Sequence, residues 1–526
     1  MGQSSTEYDA IVVGAGHNGL TTAVYLAKAG WRVLVLERND TIGGAVQSGE
    51  ITLPGFTHDL YAMNQNLFLV SPVYAELKDD LKRHGLEYLI SDKPYCNVFP
   101  DHQSIRVYSD SDKTLEHIRA HHPEDAHGWQ QLYGHYQQLQ QAFLPLYTTP
   151  LPSWQMIYKL WRGVRTIGLA NMLTVIRLLL HSTRKLANAY FTTPEMQAVI
   201  ATWGMHLDFG PDVSGGAQFP LLETFSDMEA GMSVAKGGAS AMPRALAGLL
   251  KEYGGEVRCN AEVVRIQHQG KRVTGVKLHN GQVIQASRAV VANLTPHVLF
   301  DKLLAHAPLA DTFRRSVKRY THGPGTMMVH LALDSLPHWA AGAEVADFAY
   351  VHIAPYLEDL ARTYTDACNG MLPESPLLIV GQPTTIDPSR APAGKHTLWV
   401  QVRTLPSDIH GDSAGTITAQ TWEDAKQPFA ERVIDKLEHY APGIRETILE
   451  QTVFSPLELA QHNPNLVGGD SVGGSHHLAQ NYLFRPIQGW SNYRMPLENL
   501  WMVGAATWPG GGTNATSGYL AAQALL

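Results

Sequence analysis

One stretch near the start, residues 8–44, constrains this chain more tightly than any other. Residues 10–13 are apolar and uncharged, as a strand buried on both faces requires. Gly14, Gly16 and Gly19 follow at once in the spacing G-x-G-x-x-G, with Ala15 and Asn18 inside the same loop. From Leu20 to Ala29 the apolar residues recur at helical spacing, and Gly30 stops the helix. Residues 33–36 form a second apolar strand that runs into Glu37 and Arg38. Strand, glycine loop, helix, strand and terminal acid make a complete βαβ dinucleotide-binding unit. The first glycine permits the tight turn, the second lets backbone approach a pyrophosphate, and the third lets helix and strand pack closely. The helix N-terminus offers free N–H groups and partial positive charge to the phosphates. Glu37 stands where an acid accepts hydrogen bonds from a ribose. It disfavours the 2′-phosphate of NADP and suits both NAD and FAD. Gly43, Gly44 and Ala45 then mark a second close approach of the backbone.

With 526 residues there is length for two or three domains and a sizeable core. The net charge of −8 argues against a nucleic-acid partner, which would want a basic surface. Cys96, Cys259 and Cys368 are isolated and fit no zinc spacing, which suits a reducing compartment. Met1 to Glu7 has neither the basic nor the apolar region of a leader, and no window has the length and apolarity to span a bilayer. The expectation is a cytoplasmic protein.

Further along, His58 and Asp59 follow a short strand and turn, where such a pair more often satisfies loop backbone than does chemistry. His117 and His121, one helical turn apart, with His122 and Glu116 beside them, raise a metal reading. Pro123-Glu124-Asp125 breaks that helix at once, so a His-rich helix end is the better account and no metal site is expected. Residues 126–194 contain no Asp or Glu, although the chain is acidic overall. Within them Lys159, Arg162, Arg165 and Arg177 alternate with Trp154, Ile157, Tyr158, Trp161, Leu169 and Leu173. Two readings stand level, peripheral membrane contact through residues 151–190 or helices capping an apolar substrate cavity, with plain core helices the third. Downstream, Lys236-Gly237-Gly238 opens a helix over residues 244–253. Strands follow at 263–266, 273–278, 283–284 and 289–293, with Asn280-Gly281 as a hairpin turn. Residues 377–381 and 396–402 read as strands, and 428–439 as an amphipathic helix with Pro428 in its first turn. Near the C-terminus, residues 499–503 form a strand, then a glycine-rich loop runs from Gly504 and Ala505 through Gly511 and Gly512 to a helix from Tyr519. That is a second anion- or carbonyl-binding helix terminus.

These blocks together resemble the phytoene desaturase-like family of FAD oxidoreductases, within the FAD-dependent amine oxidase fold. The resemblance rests on residues 13–19, Glu37-Arg38 with Gly43-Gly44, Lys236-Gly237-Gly238, Phe484-Arg485-Pro486 with Tyr493, and residues 504–512. Residues 387–399 and 455–459 are most similar to the subgroup holding carotene-ketolase-type and pyridine-dinucleotide-disulfide-domain-like members. The chain departs from the family pattern at Trp508, where a His is usual, and at Ala515 and Tyr519, where Gly and Arg are usual. The resemblance implies that Gly14, Gly16, Gly19, Glu37, Arg38 and Gly44 hold the ADP half of FAD. Ala15, Asn18, Gly43 and Ala45 share those loops, and Val263 contacts adenine through its backbone. It also implies that Gly504, Ala505, Gly511 and Gly512 flank the flavin.

The expected fold is α/β, a Rossmann-type FAD-binding domain assembled from residues 1–71, 230–300 and 490–526. An α+β substrate domain with a helical lid takes residues 72–229 and 301–489. The expected activity is hydride transfer to flavin N5 from a C–H bond of an apolar isoprenoid, carotenoid-like or lipid-like molecule. An amine or amino-acid oxidase, with Trp203, Tyr482 or Trp508 as aromatic walls, is the alternative. A non-catalytic prenyl-binding escort is the third. The sequence singles out no catalytic acid or base.

Overall fold

In the computed structural model, which describes residues 7–526, the strand Glu7–Val13 lies between two parallel neighbours, Val33–Leu36 and Val283–Ala292. Residues 1–6 of the polar N-terminal stretch lie outside the described residues. Glu256–Arg258 pairs parallel beyond Val33–Leu36, and Leu500–Met502 pairs parallel with the second half of Val283–Ala292. One parallel sheet thus gathers strands from three distant stretches of the chain. Ala10, Ile11 and Val12 are fully buried, which explains their lack of polar side chains. The hairpin Val263–Gln269 and Arg272–Leu278 extends the sheet in antiparallel fashion from the first half of Val283–Ala292. The two short strands expected at 283–284 and 289–293 are one strand of ten residues. Ala286 stays buried and Arg288 exposed in the stretch between them, so the alternation runs through the polar residues that seemed to interrupt it.

The helices His17–Lys28, Ala241–Glu252 and Thr516–Leu525 pack together beside this sheet, through one shared apolar cluster. Gly518 allows the closest contact: a Cβ there would fall 2.1 Å from the Asn18 carbonyl oxygen.

A second sheet runs in the order Ile448–Phe454, Gly325–Leu333, His396–Leu405, Leu377–Gly381, Tyr350–Ile353, Tyr95–Val98, Ser104–Val107. It is antiparallel except where Tyr350–Ile353 meets Tyr95–Val98. The helix covering one face is Trp422–Tyr440, longer than the expected 428–439. Its true start is capped by the Thr421 side chain, which accepts from the Asp424 N–H, and Trp422 and Ala425 continue the buried stripe of Phe429, Val433 and Leu437. Pro428 therefore sits inside the helix rather than in its first turn.

Helices Ala126–Ala142, Leu144–Tyr147, Trp154–Ile167, Leu169–Leu180, Thr183–Tyr190, Pro194–Gly204 and Gln218–Ala230 form a cap. His117 Nε2 lies 3.1 Å from the Ser104 carbonyl and His121 Nδ1 2.8 Å from the His117 carbonyl, so each ring spends a nitrogen on backbone. Arg390 is fully buried. Its guanidinium bonds Asp59, Asp387 Oδ2 at 3.2 Å and the Ala235 carbonyl at 2.7 Å. Asp59 and Asp387 in turn accept from the N–H groups of Ala239 and Gly237. Asp59 thus satisfies loop backbone, as expected, and also holds a buried ion pair that joins three segments. Burial pushes the neighbouring His58 imidazole down to about 4.

Replacing Arg390 by Met would leave two buried carboxylates unpaired, a loss of about 3–5 kcal/mol. Urea denaturation measures it, and a loss below about 1 kcal/mol would contradict the assignment. A second test concerns Glu223 and Asp227, one turn apart on Gln218–Ala230. Burial, then their mutual repulsion, raises Glu223 well above the usual carboxylate range, and burial raises Asp227 to about 7. A carboxyl whose folded pKa is raised stabilises below its unfolded pKa and forfeits that as pH rises through the folded value. Glu223→Gln is therefore expected to be more stable than the parent at pH 8, with the gap narrowing towards pH 5. An equal gap at both pH values would refute this.

Candidate functional site

The groove at the C-terminal ends of the parallel strands is built from glycine loops that crowd one side chain. A Cβ on Gly16 would lie 2.8 Å from Asn293 Nδ2, one on Gly19 3.0 Å from the same atom, and one on Gly504 2.5 Å from Asn293 Oδ1. Gly14 adopts φ 97°, with its Cβ position 3.2 Å from the Asn293 carbonyl. The groove, about 270 Å³, is lined by Gly14, Gly16, Asn18, Glu37, Arg38, Gly44, Ala45, Val263, Gly504 and Ala505 among others. The first helix begins at His17 with no side chain capping its N-terminus, which leaves its first N–H groups for a phosphate. Glu37 Oε2 accepts from the Ala15 N–H at 2.9 Å and Oε1 from the Asn39 N–H at 3.0 Å. A carboxylate has about four acceptor sites, so two remain for ribose hydroxyls. A cradle whose walls leave no room for a Cβ, with a free helix terminus and an acid at its far end, fits a dinucleotide.

The other predicted residues serve from behind. Ala15 is buried and gives its N–H to Glu37. Gly19 packs against the Gly14 carbonyl, 2.4 Å from its Cβ position. Gly43 bridges to Gly16 and donates to the Ala15 carbonyl at 3.0 Å. The Asn18 amide, though it lines the groove, accepts from the Gly518 N–H at 3.1 Å and so ties the first helix to the last.

Past Ala505 the C-terminal loop turns from this groove to a second space. Arg485, fully buried, donates to the Ala505 carbonyl at 2.7 Å and the Ser475 carbonyl at 2.8 Å, clamping residues 473–476 to the C-terminal loop. His476 adds a second tie, its Nε2 accepting from the Gly511 N–H at 2.9 Å. Burial, then the charge of Arg485, holds this imidazole well below its usual range, so the ring is neutral and carries its proton on Nδ1. Two buried aspartates shape the segment that presents it. Asp208 accepts from the His476 N–H at 2.9 Å, and Asp470 from the Val472 and Gly474 N–H groups at 2.9 and 2.6 Å.

Gly511 and His476 line a cavity of about 380 Å³ walled chiefly by Leu67, Leu144, Leu207, Phe209, Phe219 and Leu222. Val70, Pro145, Glu229 and Ala230 are its exposed rim. Gly512, predicted beside Gly511, faces Leu67 Cδ1, 2.8 Å from its Cβ position. Trp203, Tyr482 and Trp508, expected as aromatic walls in the oxidase alternative, do not line the cavity. Trp203 is buried against Tyr95 and His206, and Trp508 lies behind Tyr147. No residue of 151–190 lines it either. Instead the hairpin of Trp154–Ile167 and Leu169–Leu180 turns an apolar face outward, with Trp154 85% and Leu169 63% exposed. Sequence reasoning missed Asn293, Asn463, Asn465, Asp208 and His476. Asn465 Oδ1 accepts from the Thr295 N–H at 2.9 Å and its amide donates to the Asn293 carbonyl at 3.1 Å, a service no local pattern announces.

Comparison with known proteins agrees with this geometry. The family model described as flavin containing amine oxidoreductase matches residues 19–442. The pyridine nucleotide-disulfide oxidoreductase domain-containing protein 2 of Rattus norvegicus is 27% identical over 98% of this chain and 93% of its own. One of the limonene dehydrogenase subunits of Castellaniella defragrans is 26% identical over 98% of this chain and 94% of its own. The crystal structure of an oxidoreductase from Methanosarcina mazei shares the fold, with TM-score 0.62 and 16% identity over 99% of both chains. The chain belongs to the flavin containing amine oxidoreductase family and is an FAD-dependent oxidoreductase.

Proposed function

We propose that this oxidoreductase removes or redistributes hydrogen at C–H bonds of an isoprenoid- or lipid-like molecule, and that it does so as a peripheral protein on the cytoplasmic face of a membrane. The observation that carries the reading is the apolar cavity that Gly511 of the C-terminal loop lines. The groove residues fit the ADP half of FAD, and the bound cofactor supplies a hydride acceptor at N5. This chain's own part is to bind and orient. Leu67, Leu144, Phe209 and Leu222 hold an apolar body and exclude water, while Arg485 and His476 fix the loop against which it rests. The likeness to part of a limonene dehydrogenase supports a terpenoid substrate. Support for the membrane comes from the outward apolar face of the hairpin, where Arg162, Arg165 and Arg177 are also exposed and no acid is present. Among the described residues no single helix is long and apolar enough to cross a membrane, and the hairpin bends by 114°.

Anaerobic mixing of the yellow protein with isoprenoid or lipid alkenes is expected to bleach the flavin band, and with alkyl amines to leave it. Bleaching by amines alone would replace this reading with the amine oxidase. In flotation, the protein is expected to rise with anionic vesicles. The double variant Arg162→Glu, Arg165→Glu is expected to lose most of that binding, since each basic residue near such a surface contributes about 1 kcal/mol. Recovery of the parent wholly in the soluble fraction would contradict membrane contact.

A further inference from the structure

Tyr147, a ring of the cavity wall, is backed by an indole that never touches the cavity. Trp508 is only 2% exposed and packs against Tyr147, at 5.3 Å and 23°, and Tyr482, at 5.4 Å and 36°. Both ends of this residue's span are fixed. Its Nε1 donates to the Thr149 carbonyl at 3.0 Å, and its own carbonyl accepts from the Tyr493 hydroxyl at 3.0 Å. Thr149 is held in turn by Lys159, whose Nζ reaches its Oγ1 at 2.6 Å and the Pro145 carbonyl at 3.0 Å.

Of the two rings beside Trp508, Tyr147 belongs to the cavity wall and Tyr482 stands one residue behind it. Tyr147 lines it directly, with Leu144, Pro145 and Thr148 from the same short segment. Tyr482 bonds the side-chain oxygen of Gln218, which lines it, and Pro509 after Trp508 lines it too. The indole therefore fills the space into which Tyr147 would otherwise swing. A volume of about 380 Å³ is near the lower end of the usual range for small-molecule sites, roughly 300–1,000 Å³.

We propose that Trp508 determines substrate size: by propping Tyr147 it limits the cavity and selects compact apolar molecules over long polyenes. This rests on the apolar-substrate reading of the same cavity. Compactness is a property of the wall, so it can be measured without any turnover. The test is binding of straight-chain alcohols from hexanol to eicosanol to the FAD-loaded full chain, read from perturbation of the flavin absorption band. In the parent, affinity is expected to rise about fourfold per methylene until a chain length at which it stops rising. In Trp508→His and in Tyr147→Ala that cut-off is expected to move to longer chains, while Trp508→Phe, which keeps a stacked ring, retains the parental value. Tyr147 is only half-buried, so its variant carries the test if Trp508→His does not fold. An unchanged cut-off in folded, flavin-loaded Tyr147→Ala would overturn the proposal, as would parental affinity that keeps rising to eicosanol. Alcohols report the wall whatever the reaction, so failure of alkenes to bleach the flavin would refute the chemistry and leave the size limit to be judged by the cut-off alone.

Discussion

The structure depends on how closely backbone can approach the side chain of Asn293. Gly14, Gly16, Gly19 and Gly504 all bring a Cβ position to within 3.6 Å of it or of its carbonyl, so no other residue type fits without displacement. These glycines come from opposite ends of the chain, and Asn293 ends the strand between them. The contact registers the three separate stretches of the parallel sheet against one another. It also sets the depth of the groove, because the same loops that crowd Asn293 on one side offer backbone to a dinucleotide on the other. Discontinuity therefore costs the glycine loops of the groove little in precision, since both chain ends pack on one small amide.

From that groove to the apolar cavity the continuity is polar and almost wholly buried. Arg485 spends its donors on backbone carbonyls of two loops, and His476 takes the one N–H of Gly511. Buried cations and neutral imidazoles are costly unless bonded, so this clamp makes sense as a device for fixing the position of the C-terminal loop. The cavity beyond it is apolar, and its exposed rim includes Glu229, whose carboxylate accepts from the hydroxyls of Tyr133 and Tyr136.

Much of this is legible in the sequence because it is local. The βαβ unit declares itself through three glycines, two apolar strands and an acid within a few dozen residues, and the second glycine loop through the strand before it. What stays hidden is non-local. Asn293, Asn465, Asp208 and His476 act on backbone groups far away in the chain, and nothing beside them in sequence signals it. Glu37 stands in the groove as its spacing predicts, yet half its acceptor capacity goes to its own loops, a detail only the fold supplies. The acid-free segment reads as a unit in sequence, whereas the structure divides it: Leu144 to Thr148 wall the cavity, and Trp154 to Leu180 face outward. The helix Trp422–Tyr440 outruns its predicted start because Pro428 resembles a start signal, while the buried stripe already runs through it.

The central claim is that FAD is held where the glycine loops of both chain ends converge on Asn293. The most direct measurement is the FAD content of purified Gly504→Ala against the parent, with the far-ultraviolet spectrum of each as a check on folding. Gly504 has φ 111°, and its Cβ would meet Asn293 Oδ1 at 2.5 Å. Close to one flavin per chain is expected in the parent and a loss of most of it in the variant, with secondary structure retained. A folded Gly504→Ala that keeps its full complement of FAD would contradict the claim.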